Sequence, residues 1–498
     1  MVARRRALRS RGSRRRLLTF CRTSASGPLM TALAAIDLGA TSGRVIVGRF
    51  ADGSLEMETV ARFPNAPVRT PSGLHWDVTA LYRGARDGLA EAFRAAPDIA
   101  SIGVDSWAVD YALLRGDRVL GEPFHYRDEE RTARGPGLVH ARTPFAELYP
   151  RNGLQFLAFN TLYQLATEGD MLDVADALLL IPDLFGWMLT GERVAERTNA
   201  STTGLLDVTT REWDADLLSR IGVPAGLLPR LVDPGDRVGG LLPHVAREVG
   251  GSAPVVAVGS HDTASAVAAV PMRADRAAYI SCGTWGLVGV ETERPILTDA
   301  AREANFTNEG GVDGRTRFLH NVMGLWLLSE TIREWERAGE RIDLPALLAE
   351  AAEVRGSVGI FDANDPVFLP PGDMPGRIAA WLREHDRPVP ESRAAFARSI
   401  VESLAAAFAG AVATASALSG VPVETIHVVG GGALNALLCQ LTADRSGIPV
   451  EAGPVEATAI GNLLIQARAA GAVSGDLEAL RSVVAGAFPP VRYEPRRQ

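Results

Sequence analysis

Two stretches half a chain apart have one shape. "AAIDLGATSGRVIVG" and "AAYISCGTWGLVGVE" each run an apolar strand into a small-residue turn with Gly and Thr, then out into a second apolar strand, with Gly39 and Gly283 at matching places. Apolar runs of this kind need a covered sheet, and a glycine turn lets a ligand or other backbone come close. Two domains that each open on the same hairpin are what an ancient duplication leaves. Two glycine hairpins also arise by chance, and the echo alone leaves both readings open.

The surroundings of the first copy read as α/β. After "ADG", the stretch "LHWDVTALYRGARDGLAEAF" predicts a helix capped by Asp77 or Thr79, and "IASIGVDSWAVDYALL" predicts a buried strand bounded by turn residues. The middle stretch "NTLYQLATEGDMLDVADALLLIPDLFGWMLTG" predicts an inserted helical region starting at Asn160 or Thr161 and stopping at Gly191. "APVVAVGSHDTASAVAAV" returns as strand, polar turn and helix start. In the second half a helix is expected after Asn321, then an Ala-rich helix, then strand, glycine turn, helix and strand in "TIHVVGGGALNALLCQLTADRSGIPV". "GPVEATAIGNLLIQARAAG" predicts a loop and a small-residue helix, and "FPPVRYEPRRQ" a tail.

At 498 residues, the chain is too long for one ordinary core and fits two large domains, or one large domain with insertions. Residues 1–30 hold nine Arg and no acid, so the remainder is far more acidic than the net charge of −8. That excludes nucleic acid as the main partner, since duplex binding relies on clustered basic side chains. The segment 1–29 reads as a transit-like or basic arm, or as residues upstream of a true start at Met30; the second reading is preferred, and no fold is expected of it. Cys21, Cys282 and Cys439 form no disulfide framework or metal spacing, which fits a reducing cytoplasm. The uncharged run Ser403–Gly420 is as long as a membrane span, but its Ala, Gly and Ser content favours a buried helix. There is no Lys at all, so a P-loop, which needs its ammonium on the outer phosphates, is excluded.

Four motifs carry candidate chemistry. "DLGATSGR" sets Asp37 before a turn whose N–H groups and Thr41 or Ser42 hydroxyls suit terminal phosphates, with Arg44 to neutralise them and Asp37 to hold Mg²⁺ through water; a plain hairpin turn reads the same. "GVDSWAVD" places Asp105 and Asp110 around Trp107, a flat face for a sugar ring or a core Trp beside a capping Asp. "VVGGGALN" feeds a strand through glycines into a helix, as nucleotide sites do and as packing turns also do. In "GSHDTAS", Asp262 is either a carboxylate for proton transfer or the N-cap of the following helix.

Taken in order, "DLGATSGR", "WDV", "IGVDSWAVDY", "YRDEERT", "QFLAFNTLYQL", "TNASTTGLL", "SHDTASAVAAVP", "AAYISCGTWGLVG", "NFTNEGG", "NVMGLWLL", "HVVGGGALN" and "GPVEATAIGN" resemble the FGGY family of carbohydrate kinases across nearly all of residues 31–465. The resemblance implies an actin-like α/β fold, with two ribonuclease-H-like domains enclosing ATP and sugar. It implies an N-terminal domain over 30–271 on the sugar and phosphate side, a C-terminal domain over 272–475 on the nucleotide side, and a tail over 476–498. Carried over by position, Asp262 would accept the proton of the sugar hydroxyl; His261, Asp262, Thr263, Asn321 and the backbone of Ala108 would contact the sugar. Ala40, Thr41, Ser42, Gly43, Arg44, Thr284 and Gly431 would hold ATP, and Asp37 would organise Mg²⁺. Ser329 departs from the Gln that relatives place near the nucleotide, and none of the cysteines stands where some relatives form disulfides. The resemblance is narrowest to members acting on L-rhamnulose, implying phosphorylation at O1 in L-rhamnose catabolism. Kinases for xylulose or fuculose, a non-catalytic actin-like ATP-binding regulator, and a Rossmann oxidoreductase built on "GGGALN" are the alternatives; the last lacks an early G-x-G-x-x-G fingerprint.

Overall fold

The computed structural model describes residues 30–51 and 53–496; the readings of residues 1–29, Cys21 included, lie outside the described residues. In the first half, β1 (Thr31–Leu38), β2 (Ser42–Ala51) and β3 (Ser54–Pro64) form an antiparallel meander. Helix α1 (Val78–Ala95) packs beneath it, its N-terminus capped by Asp77, which accepts from Ala80 N. Strand β4 (Ser101–Ser106) lies parallel to β1, and β5 (Arg237–Gly240) and β6 (Pro254–Val256) complete the sheet in the order β5-β6-β4-β1-β2-β3. Strand β1 is buried almost end to end, as a central parallel strand covered on both faces requires.

The expected helical stretch from Asn160 to Gly191 is interrupted. Short helices at Thr161–Leu165 and Met171–Val174 give way to a strand, Ala177–Leu180, before α2 (Ile181–Thr190) begins. Pro182 explains the break: proline fits the first turn of a helix and cannot sit inside one that began twenty residues earlier. The apolar run ahead of it instead pairs with Tyr111–Leu114 and is fully buried. Gly191, at φ 82°, closes α2 as predicted.

Helix α3 (Asp262–Ala268) leads into the second half. There β7 (Ala277–Cys282), β8 (Gly286–Thr292), β9 (Thr307–Gly310) and β10 (Thr316–Val322) are followed by helices α4 (Trp326–Arg337) and α5 (Arg393–Ser419), so the helix expected after Asn321 starts at Trp326. The Ala-rich α5 is long and apolar enough to cross a membrane, yet Ile400, Val401, Leu404 and Phe408 are fully buried in the core of this half. Then come β11 (Thr425–Val429), α6 (Ala436–Ser446), β12 (Val450–Ala452), α7 (Ala457–Ala469), α8 (Leu477–Ala487) and β13 (Val491–Tyr493). The sheet order is β9-β10-β8-β7-β11-β12-β13.

Both sheets therefore repeat one pattern. A hairpin (β1–β2, β7–β8) carries a further antiparallel strand on its second arm and a parallel strand (β4, β11) on its first, beyond which lie one more parallel strand (β6, β12) and an antiparallel edge (β5, β13). The echo in the sequence marks this repeated unit.

The expected tail is corrected. Within 476–496, Leu480 and Val484 of α8 are buried, Arg481 is 2% exposed with an ion pair to Glu291 at 2.9 Å, and β13 pairs with β12. Its short, charge-rich strand concealed a structural role. Between the halves, α3 crosses α7 so closely that a Cβ on Gly461 would lie 1.8 Å from the backbone oxygen of Ser265. Helix α7 also reaches the first sheet, where Asn462 Nδ2 donates to Asp105 Oδ2 (2.6 Å) and Gln466 Nε2 to Ala34 O (3.0 Å).

Candidate active site

A cleft of about 470 Å³ opens where the carboxyl ends of the parallel strands of the two sheets meet. Such strand ends are where open α/β sheets bind ligands. Of the residues the family resemblance assigns to ATP, sugar or Mg²⁺, all but Gly43 line it; Asp105 and Asp110 do not.

On the first half, β1 delivers Asp37 and the turn to β2. Gly39 N donates to Ser42 O, and Asn65 braces the turn from β3, its N–H reaching Thr41 O and its Nδ2 reaching Gly39 O. Ala40, Thr41 and Ser42 face the cleft. Gly43 does not line it: a Cβ there would sit 2.2 Å from the Phe63 ring, so strand packing accounts for its lack of a side chain. Arg44, opposite Asp37 in the register, is already committed to carboxylates. Its Nη2 lies 2.7 Å from Asp37 Oδ2, and its Nη1 pairs with Glu456 of the second half. Burial opposes its charge, but Asp37 and Glu456 outweigh that and raise its pKa. Arg62, opposite Arg44 on β3, lines the cleft and is exposed, and its guanidinium has no hydrogen bond or ion pair among the described residues. Asp105, beside Asp37 on β4, is fully buried beneath them; burial and the Asp37 charge push its carboxyl well above the usual range.

The next wall follows β4. Trp107 lines the cleft, while Asp110 turns inward, accepting from Trp76 Nε1 (2.6 Å), Trp107 Nε1 (3.1 Å) and Gln164 Nε2 (2.9 Å). Of the two readings of this motif, Trp107 is available to a ligand and Asp110 is a brace. Between them Val109 has φ 68°, a strained conformation for a β-branched residue, with its carbonyl held by Thr161 Oγ1 at 2.7 Å. This turns Ala108 toward the cleft.

His261 and Asp262 follow β6, with the chain pinned by a bridge between Ser106 and His261. The helix-cap reading of Asp262 fails: the N-cap position belongs to His261, and Asp262 is the first residue of α3. Its side chain, one-third exposed, accepts from Thr263 Oγ1 at 3.1 Å and lies 3.4 Å from His261 Nε2. Burial and the Asp37 charge raise its carboxyl above the ordinary value, against the pull of His261 and Thr263. Behind His261 stand Glu309 and Arg317 of the second sheet, 3.0 Å apart. Burial disfavours the Glu309 charge, yet the Arg317 guanidinium holds its carboxyl below the ordinary value. Asn321 lines the cleft from β10 with a buried, unpartnered Oδ1, while its backbone N–H donates to Gln155 Oε1 at 3.1 Å.

On the far side, Thr284 comes from the β7–β8 turn and Gly431 from the turn after β11. Gly430 needs glycine for its φ of 80°, and Gly432 because a Cβ would strike Cys282 Sγ at 2.4 Å. Gly431 has open space where a Cβ would go, its nearest neighbour 4.0 Å away, so protein packing does not explain its lack of a side chain. The glycines do not lead straight into a free helix end: a one-turn helix intervenes, and α6 is capped by Asn435. Ser329 is exposed on α4 and does not line the cleft. Cys282 and Cys439 are buried and free.

Sequence reasoning missed Arg62, Gln155, Phe159, Trp285, Glu309 and Arg317. Gln155 and Phe159 sit inside the quoted "QFLAFNTLYQL" and Glu309 inside "NFTNEGG", so their signal was present without a role. Arg62 is visible only through its register with Arg44.

The comparisons with known proteins agree with this geometry. Models of the FGGY family of carbohydrate kinases match residues 32–269 for the N-terminal domain and 278–470 for the C-terminal domain. The chain is 42% identical to a rhamnulokinase of Bacteroides thetaiotaomicron, covering 93% of this chain and 95% of that one. It is 44% identical to a rhamnulokinase of Pectobacterium atrosepticum, covering 94% and 93%. Among solved structures, a gluconate kinase from Lactobacillus acidophilus superposes with a TM-score of 0.75 at 15% identity over 94% of each chain, a likeness of fold.

Proposed function

The chain belongs to the FGGY family of carbohydrate kinases, with its two-domain actin-like fold, and from that premise we propose that it transfers the terminal phosphoryl group of ATP to O1 of L-rhamnulose, giving L-rhamnulose 1-phosphate and ADP. The observation that carries the choice of sugar is the likeness to two proteins named rhamnulokinase over more than nine-tenths of both chains. The half 30–271 provides the sugar and terminal-phosphate side, and 272–475 the nucleotide side.

In this reading Asp262 accepts the O1 proton as the bond from O1 to phosphorus forms and the bond to the β-phosphate bridging oxygen breaks. A loose transition state asks mainly for in-line positioning and for neutralisation of phosphate charge, so a carboxylate of modest basicity suffices. Thr263 fixes Asp262 by donating to Oδ1. His261, Asn321, Thr263 and the Ala108 backbone hold sugar oxygens, and the open Oδ1 or Nδ2 valence of Asn321 suits a hydroxyl. Ala40, Thr41, Ser42, Thr284 and Gly431 cradle the phosphates and nucleotide. Arg44 serves chiefly to orient Asp37, and Arg62 supplies the uncommitted positive charge that the Lys-free cleft otherwise lacks. Asp37 would suit Mg²⁺ held largely through water and phosphate, since Arg44 takes only its Oδ2. When bound, Mg²⁺ neutralises phosphate charge. The two buried free cysteines fit a cytoplasmic setting.

ADP release measured across a panel of ketoses tests the reading. L-rhamnulose is expected to give the highest kcat/KM; preference for xylulose or fuculose would overturn the choice of sugar, and sugar-independent nucleotide binding alone would favour the regulator.

A further inference from the structure

The proposed sugar wall contains one group whose hydrogen-bonding sense is fixed from the opposite half of the molecule. Arg317, on β10, is fully buried. Its Nε donates to Gly310 O at 3.0 Å, which fixes the plane of the guanidinium, and its Nη2 lies 3.1 Å from His261 Nδ1. An arginine side chain can only donate, so in this contact Nδ1 must offer its lone pair. Glu309 Oε2 also approaches Nδ1, but at 3.4 Å, and it sits 3.0 Å from the same Arg317 nitrogen as its charge partner. A proton on Nδ1, in the other tautomer or in the imidazolium, would point at a guanidinium N–H with His261 only 6% exposed and little room for water to intervene.

We propose that Arg317 is a positioning residue that fixes His261 as the Nε2–H tautomer, so that the histidine faces the cleft as a hydrogen-bond donor and the sugar atom opposite it is an acceptor oxygen. The ring then cannot compete with Asp262 for the substrate proton. Nε2 itself lies 3.4 Å from Asp262 Oδ1. A buried ion pair contributes little net stability against its desolvation cost; what Arg317–Glu309 supplies here is the polarity of a side chain 56 residues away in sequence. The second half thereby determines what the first half presents to the sugar. The consequence for substrate rests on the kinase reading above; the tautomer does not.

Two measurements on the full chain separate these. Protein labelled with ¹⁵N in its histidines, with the His261 signals identified by their loss in His261→Gln, is examined by two-bond ¹H–¹⁵N correlation without ligand. The expected pattern is an unprotonated Nδ1 and a protonated Nε2; a proton on Nδ1 overturns the proposal, whatever the enzyme phosphorylates. Removing Arg317 alone strands Glu309, so the kinetic variant is Arg317→Met combined with Glu309→Gln. Loss of the single-tautomer pattern, with sugar KM raised at least tenfold and ATP KM within twofold of the parent, is expected. A retained Nε2–H pattern in that variant would show that Arg317 does not set it. An unchanged sugar KM would overturn the donor role.

Discussion

Asp262→Asn is the most informative single change in the cleft. Asparagine is nearly isosteric and keeps Oδ1 as an acceptor for Thr263 Oγ1, now 3.1 Å away, so local structure should survive. What disappears is proton acceptance, typically worth about 10²- to 10⁴-fold in turnover, or about 3 to 5 kcal/mol of barrier. The same substitution removes one negative charge from a cleft lined by Asp37, Glu309 and Glu456 as well as Asp262. The repulsion that raises the Asp262 carboxyl also acts on an incoming triphosphate, so the ATP KM should stay level or fall. A coupled assay for ADP at saturating sugar, with ATP affinity from calorimetry, reads both quantities. The wild-type kcat should also fall with acid through a midpoint above 3.8, because the base must be ionised and burial and Asp37 hold its pKa above that ordinary value. A kcat within tenfold of wild type, or a loss matched by weaker ATP binding, would refute the assignment.

Other changes test the rest of the site. Arg62→Gln should raise the ATP KM by about 10- to 100-fold, from a lost charge-assisted hydrogen bond of about 1.5–3 kcal/mol, with sugar KM unchanged; an ATP KM within twofold of wild type would remove Arg62 from the phosphates. Gly461→Ala brings a Cβ to 1.8 Å from Ser265 O, a clash with backbone where α3 crosses α7, and overpacking of this kind costs about 1–3 kcal/mol or more. Thermal unfolding should shift down, and an unaltered midpoint would mean that the crossing opens freely. Asp110, raised to about 6 by burial against four hydrogen bonds, should give the folded protein a near-ultraviolet tryptophan signal that titrates near pH 6 and is absent in Asp110→Asn. Since that value exceeds the ordinary 3.8, the folded state binds the proton first, so this group's contribution to stability grows as pH falls from about 6 toward 3.8 and is lost as pH rises; a flat signal across that range would contradict it.

What the sequence revealed follows from the range over which each feature is determined. The two hairpins are local: apolar arms and a glycine turn specify them within fifteen residues, and both formed, as did the Gly191 stop and the Asp77 cap. Errors arose where a local pattern had two readings. A carboxylate before a helix looks like a cap, but the parallel bridge at Ser106–His261 sets the helix start one residue earlier and leaves Asp262 facing the cleft. Gly43 sits inside a phosphate-turn pattern but is a glycine because Phe63 covers it. The run before Pro182 has the composition of a helix or a buried strand, and its partner at Tyr111–Leu114 decides. The charged end of the chain hid Arg481, whose partner Glu291 is nearly two hundred residues away.

The roles missed at Arg317 and Glu309 share a cause. Those identified from sequence stand at strand ends and turns, where glycine, hydroxyl and carboxylate chemistry departs from an ordinary core. Arg317 and Glu309 lie within strands, in "TRFLHN" and "TNEG", where a charged residue reads as solvent-facing. Arg317 is buried against His261 of the first half, a partner that no window of its own strand can show. Val109 is the converse case: nothing in its neighbours calls for φ 68°, and the strain persists because Thr161 and Gln164 hold its carbonyl from another segment. In a fold made of one unit used twice, each copy encodes its own sheet locally, whereas the cleft is specified by pairs split between copies. It follows that a substitution at such a pair should act on both halves at once, as the His261 tautomer would under loss of Arg317.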